Sequence, residues 1–201
     1  MRSGGFLITA ILLFALTLGM SLYVWQLRKR EIRAHRITSL ETASHIVPPL
    51  TSNTNEQITL YVAYDDPGEL RTESISIPAV SNPQQRAEAI LTALLNVYTA
   101  KESSHPLAAS SEIRNVFMLD SGAAVVDLNS ALADSQVSGA LAEELTICSM
   151  IETLAKNVPG VSRVKFLVDG KERDTLAGHV DLADFYEVSE TDQLVKQLSL
   201  P

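Results

Sequence analysis

The sequence predicts an α+β fold. The expected form is a two-layer sandwich in which two main helices cover a five- to six-stranded sheet, in ββα-ββα-β order, behind a single N-terminal transmembrane helix. Three observations predict it. Short apolar runs repeat every second residue, as strands do. Two longer stretches place apolar residues three and four apart, as amphipathic helices do. Ahead of both, Phe6 to Trp25 is a run of twenty residues without a charge.

At about 1.5 Å per residue, twenty helical residues span about 30 Å, the depth of the hydrocarbon core of a bilayer. Tyr23 and Trp25 fall where an interfacial aromatic belt belongs. A signal peptide has an apolar core of only about 7–15 residues, so an uncleaved anchor over residues 6–27 is the expected reading. Residues 28–57 follow as a basic juxtamembrane segment and tether. The basic part carries Arg28, Lys29, Arg30, Arg33 and Arg36. From Thr38 to Gln57, eleven of twenty residues are Ser, Thr, Asn or Pro, too polar to form a packed core.

The folded domain is expected at 58–188. Ile58, Leu60, Val62 and Tyr64 give a first strand, Asp65-Asp66-Pro67-Gly68 a turn, and Leu70 to Pro78 a second strand. Pro83 suits the first turn of a helix reaching Lys101, with Ala87, Ile90, Leu91, Leu94, Leu95 and Tyr98 inward. Ile113 to Leu119 and Ala123 to Leu128 read as strands joined by Asp120-Ser121-Gly122. Ser138 is placed to cap a helix from Gly139 to Asn157 that turns Leu141, Leu145, Cys148, Ile151, Leu154 and Val158 toward the core. Pro159-Gly160 ends it. Val161 to Val168 is a strand, Asp169-Gly170 a tight turn before a short return strand, and Ser189 to Asp192 a capping box. That box opens a short helix in the tail, residues 189–201. Thr59, Arg163 and Lys165 are expected on a solvated sheet face.

Composition excludes several classes. The chain has 201 residues and a net charge of −8, of which residues 58–188 hold nine Lys/Arg against nineteen Asp/Glu. So acidic a domain repels a phosphate backbone, and nucleic acid is not an expected partner. The single cysteine, Cys148, excludes an intramolecular disulfide, and its apolar mid-helix position reads as core rather than nucleophile. His105 and His179 have no metal-ligand spacing, and His179, two residues from Asp181, reads as a ring bonded to backbone or carboxylate. Asp65-Asp66 is assigned to a turn, Glu143-Glu144 to a solvated helix face and Asp127 to a strand end. There is no G-x-S-x-G elbow and no phosphate-binding glycine loop. No catalytic, metal or cofactor-binding residue is therefore expected, and no cofactor.

Five stretches share one pattern: Ile58–Tyr64 (ITLYVAY), Pro83–Leu95 (PQQRAEAILTALL), Ala123–Leu128 (AAVVDL), Pro159–Gly170 (PGVSRVKFLVDG) and Gly178–Leu182 (GHVDL). Over about residues 56–188 they resemble the GerMN domain, the sporulation and spore germination domain. The resemblance implies a small α+β, non-enzymatic envelope module, presented outside the cytoplasmic membrane by a lipoprotein or helical anchor. It also implies a fold similar to ring-building motifs of secretion-type complexes, and it carries over no catalytic residues. The chain departs from the pattern in having one copy of the domain and no lipobox cysteine.

The expected function is thus a non-catalytic, membrane-anchored bacterial envelope protein, linked to sporulation, germination or envelope assembly. Its expected partners are the lipid bilayer, through residues 6–27, and other envelope proteins or further copies of itself. The alternative is a module that binds or modifies cell-wall glycan with Asp127, Asp169 or Asp181. The resemblance places the domain outside the cytoplasm, whereas five Lys/Arg after the span against Arg2 before it favour the cytoplasmic side.

Overall fold

The structure, a computed structural model, describes residues 54–198. The expected anchor at 6–27, the basic segment and most of the tether lie outside the described residues. Among the described residues no helix is long and apolar enough to cross a membrane.

The order is β1 (Asn55–Tyr64), β2 (Glu69–Pro78), α1 (Pro83–Tyr98), β3 (Ile113–Met118), β4 (Ala123–Leu128), α2 (Ser130–Ser135), α3 (Ala140–Asn157), β5 (Arg163–Val168), β6 (Tyr186–Glu187) and α4 (Val188–Leu198). The class is α+β, as expected, but the strands form two sheets instead of one. β1 and β2 make a two-stranded antiparallel hairpin, while β3-β4-β5-β6 make a separate four-stranded sheet.

The reason lies along the outer edge of β1. Its N–H groups at Thr59, Tyr61 and Ala63 donate to Asn157 Oδ1 at 3.0 Å, Thr153 Oγ1 at 2.9 Å and the Tyr98 hydroxyl at 2.9 Å. Side chains of α3 and α1 occupy the positions that another strand would take. Every backbone donor needs a partner when buried, and here helices supply it.

The second sheet is also not purely antiparallel. β3–β4 and β5–β6 run antiparallel, but β4 and β5 run parallel, because α2 and α3 form the crossover that joins them. Parallel strands are commonly covered on both faces, and β4 and β5 are mostly buried along their length. This overturns the solvated placement of Lys165, which is only 6% exposed and donates from Nζ to the carbonyl of Ala183.

Helix α1 buries all six expected residues, and the Asn82 side chain caps it by accepting from the Gln85 N–H at 3.0 Å. Helix α3 buries Leu145, Cys148, Ile151 and Leu154, but Leu141 in its first turn is 43% exposed. Its N-cap is Gly139, with no side-chain cap; Ser138 Oγ reaches instead toward the Ala177 carbonyl at 3.5 Å. Helix α2 was not expected. Asn129 caps it, its Oδ1 accepting from both Leu132 and Glu112 N–H groups at 3.0 Å. The return strand expected after Asp169-Gly170 is one isolated bridge between Val168 and Lys171. Helix α4 begins at Val188, so Ser189 lies inside it rather than capping it.

Candidate functional site

Helix α3 is buried on every side from residue 145 to 154, yet it carries Glu143, Thr146, Ser149, Glu152 and Thr153 inward. Buried polar groups are costly unless bonded, so each reports what surrounds it.

Glu143 is fully buried, against the expectation of a solvated face. Its Oε2 accepts from the N–H groups of Ala177, His179 and Val180, each at 3.0 Å, and its Oε1 meets His179 Nδ1 at 2.8 Å. Burial pushes this carboxyl up, but the hydrogen bonds from Val180, the His179 ring, Ala177 and His179 outweigh it and hold the pKa down at about 2. It is a fixed anion that ties the 177–180 loop to α3. The His179 ring is bonded to a carboxylate, one of the two partners expected, and that carboxylate is Glu143.

His105 is buried between elements. Nδ1 faces Asp65 Oδ1 at 2.6 Å, Nε2 faces Thr146 Oγ1 at 2.6 Å, and the ring stands edge-on to Tyr98 at 4.9 Å. A carboxylate only accepts, so Nδ1 carries the hydrogen. The imidazole thereby joins the β1–β2 turn to the middle of α3.

Asp127 and Asp169 converge on one guanidinium. Arg114 Nη1 lies 2.7 Å from Asp169 Oδ1, and its Nε lies 3.6 Å from Asp127 Oδ2. Asp127 also accepts from the Gly170 N–H at 2.7 Å, which fixes the turn after β5. Asp181 stands apart from this pair. Its Oδ1 accepts from the Ala183 N–H at 2.6 Å.

Two cavities flank α3. The first, about 410 Å³, has Ile147, Cys148 and Leu194 in its lining and the carboxylates of Glu144, Asp181, Glu187 and Glu190. Burial, followed by the charges of Glu144 and Glu152, pushes the Cys148 thiol up to about 12, so it stays protonated and matches the core assignment. The second, about 500 Å³, is lined by Tyr61, Glu152, Lys156, Ser162, Glu187 and Asp192 among others. Glu152 is the residue that sequence reasoning missed, although it follows Leu145 by seven and Cys148 by four, which is the spacing of the buried face.

The model of a family described as sporulation and spore germination matches residues 59–174. The chain belongs to the Germane family. Four of the five stretches that carried the resemblance fall in the matched interval, apart from Ile58 at its edge; Gly178–Leu182 lies beyond its end. A solved structure of the tandem GerMN domains of the sporulation protein GerM from Bacillus subtilis is similar at 16% identity with a TM-score of 0.51. The match covers 68% of this chain and 48% of that one, so the chain spans about half of the tandem protein. The first GerMN domain of the same protein gives 15% identity and a TM-score of 0.46, covering 66% and 97%. A candidate lipoprotein from Clostridium perfringens gives 20% and 0.46, covering 70% and 92%. The tandem structure supports a shared fold. A comparison with curated proteins gives no match.

Proposed function

We propose that this Germane protein is a membrane-tethered, non-catalytic envelope component whose domain assembles with further copies of itself through the open edge of β2. The observation that carries the reading is that edge. Because Thr59, Tyr61 and Ala63 of β1 point their N–H groups at α3 and α1, Ile58, Leu60 and Val62 point theirs at β2. Their partners are Ile75, Glu73 and Arg71. The alternate residues Thr72, Ser74 and Ser76 therefore direct N–H and C=O away from the hairpin, and all three are exposed.

A ten-residue strand with an open edge is a template for strand addition. Two-fold antiparallel pairing centred on Thr72 would set Arg71 of each copy opposite Glu73 of the other, a favourable cross-strand charge pair. The apolar run at 6–27 supports a single-pass tether, and family membership supports a domain outside the cytoplasm, where envelope proteins are the other reachable partners. The glycan reading has less support, since Asp127 and Asp169 are both engaged by Arg114.

The test is sedimentation of the full chain in a non-ionic detergent, with Ser74→Pro as the variant. Proline removes an outward N–H without touching the β1–β2 ladder. Concentration-dependent association that the variant loses, with its melting temperature nearly unchanged, supports the reading. A wild-type chain that stays monomeric and retains no envelope protein overturns it.

A further inference from the structure

Glu152 is a carboxyl without a complete set of partners. It sits on α3 beneath α4, only 6% exposed, and its Oε1 is buried without a hydrogen bond. Neither neighbouring lysine bonds it: Lys196, whose charge reaches it, is engaged by Asp192 at 2.5 Å, and Lys156, one turn along α3, makes no ion pair with it. A buried acceptor in this condition either takes up a proton or awaits a donor from outside. The second cavity gives such a donor room. Its volume of about 500 Å³ lies in the range of small-ligand clefts, and Glu152 forms part of its wall.

The lining selects the donor by charge and shape. Three carboxylates, Glu152, Glu187 and Asp192, line it with one ammonium, Lys156, and the hydroxyls of Tyr61 and Ser162; Asp192 is already paired with Lys196. Among the described residues no three His, Cys, Asp or Glu side chains are grouped closely enough to hold a metal ion, so the charge here suits an organic cation. An ammonium carries three donors on one point charge, which Glu152 and the hydroxyls of Tyr61 and Ser162 can share as acceptors.

We propose that this cavity binds a primary alkylammonium group, the chemistry of a lysine side chain, with Glu152 as its buried counter-ion. The site is independent of the β2 edge, so it stands or falls separately from self-assembly.

Burial, then the charge of Asp192, raises the Glu152 carboxyl to about 7, with Lys196 pulling the other way. The groups facing it are Tyr61 of β1, Lys156 and Cys148 of its own helix, Glu187 of β6, and Asp192 and Lys196 of α4; none is a histidine. Proton and ammonium therefore compete for one carboxylate near neutral pH.

The experiment titrates the full chain, in non-ionic detergent, with acetyl-Gly-Lys-Gly-amide and follows backbone amide shifts at Ala155, Ser162 and Ser189. A peptide with norleucine in place of lysine is the control. Saturable shifts at pH 8 that weaken at least tenfold at pH 5.5, vanish in Glu152→Gln and do not occur with norleucine support the site. No saturable shift at pH 8, equal response to norleucine, or unchanged affinity at pH 5.5 overturns it. So does undiminished binding by a folded Glu152→Gln. If that variant does not fold, the wild-type pH and norleucine comparisons still decide.

Discussion

Glu143 holds the loop that passes over the start of α3, accepting three main-chain N–H groups from residues 177–180 and one ring N–H. Truncating it takes the acceptor from those part-buried donors, and Glu143→Ala is expected to cost about 2 kcal/mol in chemical denaturation. Its pKa falls from 4.5 to about 2 on folding. Its contribution is therefore complete above the unfolded value and is lost as pH falls from about 4.5 to 2. The variant's stability should be flatter across that window. Glu152 has the opposite sign: its pKa rises from 4.5 to about 7, so its contribution is complete at low pH and is lost as pH rises through 7. Glu152→Gln should therefore be at least as stable as wild type at pH 8, and unfolding midpoints at pH 5 and pH 8 measure this. Both glutamates were legible in part. Glu143 precedes Ile147 by four and Met150 by seven, and Glu152 follows Cys148 by four, so helical spacing puts each on a buried face. The preference of carboxylates for solvent argued against that placement. The partners that resolve the conflict for Glu143 lie more than thirty residues away, beyond the reach of any local pattern.

At the scale of elements, strand and helix positions followed from apolar periodicity, and β4 matched residue for residue. Sheet membership did not, because nothing in the alternation of Ile58 to Tyr64 reveals that Thr153 and Asn157 on a later helix bond the β1 edge. The parallel pairing of β4 and β5 was equally hidden, since it depends on how α2 and α3 cross over. The turns were legible: Gly160 and Gly178 both take positive φ, at 89° and 120°, with open space where a Cβ would sit. Replacing either with Val should cost more than about 1 kcal/mol from backbone strain alone. Gly122 is tighter. It has φ 77°, a Cβ there would lie 2.7 Å from the Gly160 carbonyl oxygen, and its own carbonyl accepts from the Ser162 N–H at 2.8 Å. The β3–β4 turn is thus pressed against the α3–β5 turn. Gly122→Ala should destabilise more than Gly160→Ala, and their melting temperatures give the order.

For the whole molecule, the proposed assembly runs through the unpaired edge of β2. The side of the membrane is a separate prediction. Alkaline phosphatase fused after Pro201 should be active if the domain is exported, and inactivity would give the charge asymmetry around residues 6–27 precedence over family membership. The assembly claim is tested most directly by amide hydrogen exchange at Thr72, Ser74 and Ser76 in the full chain, measured across a concentration series. Strand addition at β2 entails fast exchange when dilute and protection that grows with concentration at these three amides, while Ile58, Leu60 and Val62 stay protected throughout. Association accompanied by fast exchange at Thr72, Ser74 and Ser76 at every concentration would contradict it.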